Sequence, residues 1–154
     1  MINVVFISHE TSDDTLLGSS LSLNNLIHSV EKECNVFIIT PNRGKAYHFF
    51  SDKGYKCISL PFKKDTISTK SKVRNIIIFL PKLIVYFLFN IYSLFKAYFY
   101  FRDKKIQIVH SNSSVIDFGY YLSKVLHAKH VWHIREFQNF DFGLKPFLGW
   151  DRLK

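Results

Sequence analysis

Residues 76–101 run for 26 positions with Lys82 and Lys96 as their only charged side chains. Read as one helix interrupted by Pro81, the stretch is long enough to reach across a bilayer. Any fold for this chain must therefore bury it, lay it on a membrane surface or pass it through one. The lysines oppose a crossing, because the 13 residues between them rise by only about 20 Å against a hydrocarbon core of about 30 Å. Lys63, Lys64, Lys70, Lys72 and Arg74 precede the helix, and Arg102, Lys104 and Lys105 follow it. The chain holds 16 Phe and 8 Tyr, more aromatic surface than a small core needs. Basic flanks on an apolar, aromatic helix suit the interface above anionic lipid headgroups. Membrane-surface contact is the expectation, ahead of a buried core helix and of a true span, because the apolar face is too large for one small sheet to cover.

Strand-like runs stand on both sides of this helix, and a single crossing would divide them between two compartments. Residues 2–7 form a continuous apolar run of strand length that ends in the polar loop 8–15. Ser19 or Ser20 can cap a helix whose apolar positions Leu23, Leu26, Ile27 and Val30 recur at helical spacing. Residues 36–40 are a second β-branched run, stopped by Pro41 and Asn42. A short helix over 43–53 ends at Gly54, a natural left-handed cap, and 55–60 read as a third strand. After a basic, Ser/Thr-rich loop over 62–72 and the long helix over 73–101, residues 106–110 read as a fourth strand, 115–126 as a helix and 130–134 as a fifth strand. Strands alternating with helices predict one α/β domain, a parallel sheet with helices on both faces, because parallel strands need crossover connections that stack over the sheet.

The charge is as local as the aromatics. From Lys53 to Lys105 twelve Lys or Arg stand against Asp65 and Asp103, so this segment carries +10 in a chain of net charge +9. An anionic membrane, a phosphorylated ligand and nucleic acid are all attracted to such a patch. Nucleic acid is not expected as a partner, since the aromatics lie in one apolar helix rather than interleaved with Arg on a strand platform. Cys34 and Cys57 are too few for a disulfide framework and lack ligand spacing, which predicts free thiols in a reducing compartment. Without a basic start or a small-residue cleavage site, the opening residues predict a cytoplasmic domain, and the basic, aromatic helix predicts a peripheral position at the inner membrane face.

In a parallel sheet ligands sit beyond the carboxyl ends of the strands, which directs attention to residues 8–20, 40–44, 110–114 and 133–137. The first loop joins a strand to a helix start, places Gly18 where backbone turns or approaches a ligand, and offers free amides to an anion. It is neither GxGxxG nor GK[ST], which removes support for nicotinamide cofactors and ordinary nucleoside triphosphatase chemistry. His133, Arg135 and Glu136 gather an acid/base group, a fixed cation and an acceptor within four residues. His127, His130 and His133 are spaced like ligands, but a helix end and a strand separate their directions, so no metal site is expected. No nucleophile elbow and no HExxH occurs.

Four segments together carry a family resemblance: Gly18-Ser-Ser-Leu-Ser-Leu-Asn-Asn-Leu-Ile, Val36-Phe-Ile-Ile-Thr-Pro, Ile108-Val-His-Ser-Asn-Ser-Ser and Trp132-His-Ile-Arg-Glu-Phe. In these the chain resembles the amino-terminal domain of family 4 glycosyltransferases, the last segment most specifically. The resemblance implies that residues 1–154 are the Rossmann-like, acceptor-side half of a GT-B fold, with residues 62–105 a basic and aromatic helical segment of its own. It implies a retaining transferase of hexosyltransferase type that moves a sugar from a nucleotide-diphosphate donor to an envelope polysaccharide or lipid-linked acceptor, with no cofactor or metal. By residue, it implies that Gly18 and Ser19, with Arg135 and Glu136, lie near the donor diphosphate, that His133 contacts the donor sugar near the reaction centre, and that His9, His110 and Asn112 face the acceptor side. Family members are more than twice as long, and their carboxyl-terminal domain carries paired glutamates and most nucleotide contacts. The expectation is therefore a domain that is inactive alone and completed by a carboxyl-terminal half or an oligomeric partner. The alternative is a non-catalytic, membrane-associated partner module of a split transferase.

Overall fold

The computed structural model describes residues 1–68, 72–134 and 143–146, with residues 72–76 described for the backbone only. Strands β1 (Ile2–Ile7), β2 (Cys34–Thr40), β3 (Lys56–Ser59), β5 (Ile108–Ser111) and β6 (Lys129–Trp132) form a five-stranded sheet in the order β3-β2-β1-β5-β6. Every pairing in it is parallel. A second sheet pairs β4 (Thr66–Ser68) with β7 (Leu144–Pro146) in antiparallel register.

The apolar run of β1 is continuous because both faces of the sheet are covered. Val4 and Phe6 pack with Val36 and Ile38 under helices α1 (Gly18–Val30) and α2 (Lys45–Asp52), which bury Leu23, Ile27, Ala46 and Phe50. Val5 and Ile7 point the other way, as the period of two requires, and join Phe37, Ile39 and Val109 under helices α3 (Lys72–Phe101) and α4 (Phe118–Val125). Phe37 meets Phe101 edge to face at 5.6 Å, and Phe62 stacks on Phe118 at 4.7 Å. Gly119 lets α4 sit close to the sheet, since a Cβ there would lie 2.0 Å from Ser111 Oγ. Gly54 turns left-handed at φ 86° after α2, as its position predicts.

Helix α3 is amphipathic in an unusual sense. Among its described side chains, those buried against the domain are Tyr86, Asn90, Ser93, Ala97 and Phe101, three of them polar. Its outward side chains include Ile77, Leu80, Ile84, Leu88, Ile91 and Phe95, each at least half exposed. Polar groups hold the inner face: Asn90 accepts from the backbone N–H of Lys63 at 3.0 Å and donates to its carbonyl at 3.2 Å, and the Tyr86 hydroxyl donates to Asp117.

Several sequence expectations shift. The helix runs unbroken through Pro81, losing there the bond that a prolyl nitrogen cannot donate. Neither Ser19 nor Ser20 caps α1; Leu17 is the cap position, with no side-chain cap bond. Helix α4 begins at Phe118 rather than at 115, because Val115 and Ile116 enter the core from a loop and the Asp117 carboxylate is held by Tyr86. Strands β4 and β7 fall where sequence patterning shows no strand.

Candidate functional site at the carboxyl edge

All five strands of the main sheet point their carboxyl ends to one edge, and the order reverses between β1 and β5. At such a switch point the neighbouring loops leave for opposite faces and open a crevice. The loop after β1 leads to α1 on one face, and the loop after β5 leads to α4 on the other. The ladder continues into both: Ser8 N–H donates to the Ile39 carbonyl at 2.9 Å, Asn112 N–H to the Ile7 carbonyl at 3.1 Å, and His133 N–H to the Ser111 carbonyl at 2.9 Å. These bonds fix the loop starts without fixing the side chains beyond them.

Glu10, which sequence reasoning passed over, organises the α1 side of the crevice. Its carboxylate is 2% exposed and accepts from the Leu17 N–H at 2.7 Å, the Ser19 hydroxyl at 3.1 Å and the Ser20 hydroxyl at 2.5 Å. The protein thus places its own anion at the helix start that the sequence offers to a ligand anion. Gly18 stays open, with nothing within 4 Å of where a Cβ would stand. Its freedom is not required by the protein's own packing.

Across the crevice Asn112 is fully buried, and its side-chain amide donates to the Ser19 carbonyl at 3.2 Å, tying the β5 loop to the start of α1. Its Oδ1 has no hydrogen-bond partner among the described residues. His110 lies within β5, not in the loop after it, with its ring 5.2 Å from Phe6 and 5.6 Å from the half-buried ring of His133. His133 follows β6 directly, so Gly18, Ser19, His110, Asn112 and His133 share this edge. Arg135 and Glu136 lie outside the described residues.

His9 lines a separate opening on the same edge, a cavity of about 850 Å³ between the first two loops, residues 62–68 and α3. Lys63, Lys64 and Lys82 line it, with Thr11 and Asn42 as polar neighbours and Pro81, Val85 and Phe62 as apolar wall. Asn42 secures the first loop by donating to the Thr11 carbonyl at 3.0 Å, and Lys45 N–H reaches the Ser12 carbonyl at 2.9 Å. Gly44 is needed for this approach, since a Cβ would meet the Ser12 carbonyl oxygen at 2.6 Å. Of the other basic residues singled out, Lys70 is outside the described residues, and Lys72 and Arg74 lie on the first turns of α3 with their side chains outside the description.

Burial shifts two groups in the sheet. Burial, then Lys124, lowers the pKa of His130, whose Nε2 stands 3.0 Å from Ser111 Oγ. Burial pushes the Cys57 thiol up to about 11, and both cysteines are free. Among the described residues no three His, Cys, Asp or Glu side chains gather as a metal site.

Sheet order, doubly covered faces and carboxyl-edge crevice define a Rossmann-like domain of the kind that forms one half of a GT-B fold. The chain is similar in structure to the MurG protein of Acinetobacter baumannii, with a TM-score of 0.57 at 12% identity over 91% of this chain. It spans 38% of that protein's length. No protein family and no curated protein matches the chain by sequence.

Proposed function

We propose that this domain is the acceptor half of a retaining glycosyltransferase working at the cytoplasmic face of a membrane. The donor is a nucleotide-diphosphate sugar, and the acceptor is a glycan or a lipid-linked molecule. The observation that carries this reading is the switch-point crevice, where His133 stands against His110 and Asn112 ties the loop after β5 to Ser19 at the start of α1. A hydrogen-bonding imidazole there suits the sugar of a donor held by a second domain, and Gly18, exposed and with nothing near its Cβ position, leaves room for the donor beside the helix start that Glu10 fills. Transfer passes through an oxocarbenium-like state with a departing diphosphate, and fixed donors aimed at the growing charge lower that barrier. The cavity beside His9 supplies room for the acceptor.

The outward face of α3 supports the membrane part of the proposal. One apolar window within residues 77–104 is long enough to cross a bilayer, yet only 17% of it is buried. Because the same helix packs sideways on the sheet through Ala97 and Phe101, an in-plane position at the interface fits better than a crossing. Glu10 favours a second reading, a non-catalytic partner module, since it fills the helix start with the protein's own charge. Turnover separates the two. Purified chain should show none with nucleotide sugars, and adding a carboxyl-terminal donor-binding half should restore it. Robust turnover by the homogeneous chain alone overturns the two-domain reading, and an inert reassembled pair favours the partner module.

A further inference from the structure

We infer that the outer edge of β3 is a docking site for an extended, acidic segment of a partner protein, which adds to the sheet as a further strand and seats an apolar side chain against α3. Strand β3 ends the five-stranded sheet. In its parallel ladder with β2, Cys57 stands opposite Ile38 and Ser59 opposite Thr40, and the Leu60 N–H donates to the Thr40 carbonyl at 2.9 Å. Backbone groups alternate in direction along a strand, so Ile58 and Leu60 face β2 while Cys57 and Ser59 turn their N–H and carbonyl groups outward. Among the described residues no backbone group of another element bonds to them there. Such docking is independent of any transfer at the switch-point crevice.

The side chains of β3 alternate as well. Ile58 and Leu60 lie on the face that α3 covers, and Lys56, two residues before Ile58, shares it, with Nζ 5.4 Å from the centre of the Phe37 ring. Between this edge and the helix runs an apolar slot of about 310 Å³, walled by Ile58 and Leu60 on one side and by Phe95, Phe99 and Tyr100 on the other. Phe95 is 64% exposed and Phe99 49%. A strand added to β3 gains main-chain bonds from Cys57 and Ser59, and every second side chain falls beside the slot.

Charge selects the occupant. Lys56 precedes the slot, Lys96 lines it, and Lys104 Nζ lies 3.9 Å from the centre of the Tyr100 ring. None of the three pairs with a carboxylate among the described residues, and the neighbouring Asp103 pairs with Arg102 at 3.4 Å. Cations on an edge strand oppose pairing with a second, equally basic copy. The same cations attract a segment whose apolar residue has Asp or Glu two positions to either side, because those three side chains share one face. A lipid surface could meet the phenylalanines and lysines but offers no ladder to the outward amides of Cys57 and Ser59.

The test measures binding of the labelled peptide Thr-Asp-Thr-Phe-Thr-Glu-Thr to the full chain by fluorescence anisotropy, with amide hydrogen exchange of the chain at saturating peptide. A counterpart peptide carries Lys at both acidic positions, and a third carries Ser in place of Phe. The acidic peptide should bind at least about tenfold more tightly than the lysine peptide at low salt, as complementary charge predicts, and Ser for Phe should weaken it by about tenfold, the scale of one buried apolar side chain. Lys56→Glu with Lys96→Glu should weaken it by about tenfold or more. Lys32→Glu with Lys45→Glu, at the helices on the opposite face of the sheet, should stay within about threefold. Saturating peptide should slow exchange at the Cys57 and Ser59 amides. The peptide comparison and the exchange use the unaltered chain, so they decide even where a variant fails to fold. Absence of binding, equal binding of acidic and lysine peptides, or unprotected Cys57 and Ser59 amides at saturation overturns the inference. Protection that grows with protein concentration without peptide also overturns it, in favour of a second copy. Phosphatidylglycerol vesicles that bind through Lys56 and Lys96 while the peptide does not bind overturn it in favour of the membrane.

Discussion

Replacing Glu10 with alanine removes the acceptor on which three donors converge, the Leu17 amide and the hydroxyls of Ser19 and Ser20. A hydrogen bond to a charged group contributes about 1.5–3 kcal/mol, and a lost helix cap costs about 0.5–2 kcal/mol. These do not add, because they pass through one carboxylate. Leu17 is exposed and Ser19 half-buried, so water takes over there, while Ser20, fully buried, loses its partner outright. Against this stands the desolvation that the buried carboxylate bears in the folded state, which its three donors offset. The balance is a loss of about 2–3 kcal/mol, which for a chain of this size lowers Tm by about 4–12 °C. Glu10→Gln keeps one carbonyl acceptor and should fall between, near 1 kcal/mol by the neutral hydrogen-bond scale. Circular dichroism during thermal and urea unfolding reads both. An unchanged or raised Tm for Glu10→Ala would refute the reasoning, since the buried charge would then be a burden that its partners do not relieve.

Gly119→Ala should destabilise by about 3 kcal/mol, the scale of overpacking, because the new methyl would meet Ser111 Oγ at 2.0 Å; a Tm within 1–2 °C of the parent, roughly the resolution of the assay, would contradict that packing. His130 has its pKa lowered by burial, so the unfolded chain takes up its proton first as pH falls. Stability should therefore decline below the ordinary histidine pKa of about 6.5 with a slope of at most about 1.4 kcal/mol per pH unit, flatten below the lowered pKa, and lose this component in His130→Gln. Neutralising Lys63, Lys64, Lys70 and Lys72 together should weaken binding to anionic vesicles strongly at low salt and little at high salt. Equal binding to neutral and anionic vesicles would remove the electrostatic contribution.

What the sequence made legible follows the range of the interactions involved. Strands β1 and β2 announce themselves through local runs of β-branched and apolar residues, and Gly54 through the left-handed turn that ends α2. The pairing of β4 with β7 joins Thr66 to Pro146, and two three-residue strands so far apart leave no periodic trace. Glu10 was hidden for a related reason: cap rules look for Ser, Thr, Asp or Asn beside the helix start, whereas its carboxylate arrives from seven residues before Leu17. A buried acid among hydroxyl donors was the available signal. Asn90 and Tyr86 stand in a stretch whose composition reads as uniformly apolar, and only the packing shows that its inward face is the polar one. His133 was legible as a strand-end histidine, but its approach to His110 depends on the register of β5 against β6.

The central claim is that the crevice at the switch point performs glycosyl transfer, and His133→Ala tests it most directly in an enzyme completed by its donor-binding half. A hydrogen bond made mainly in the transition state is worth about 2–4 kcal/mol, so turnover should fall by about thirtyfold to several-hundredfold. Far-ultraviolet circular dichroism and the thermal transition should stay unchanged, because the backbone N–H of His133, not its ring, holds the chain to Ser111. Near-normal turnover with an intact fold would contradict the account and leave His133 a structural histidine beside His110.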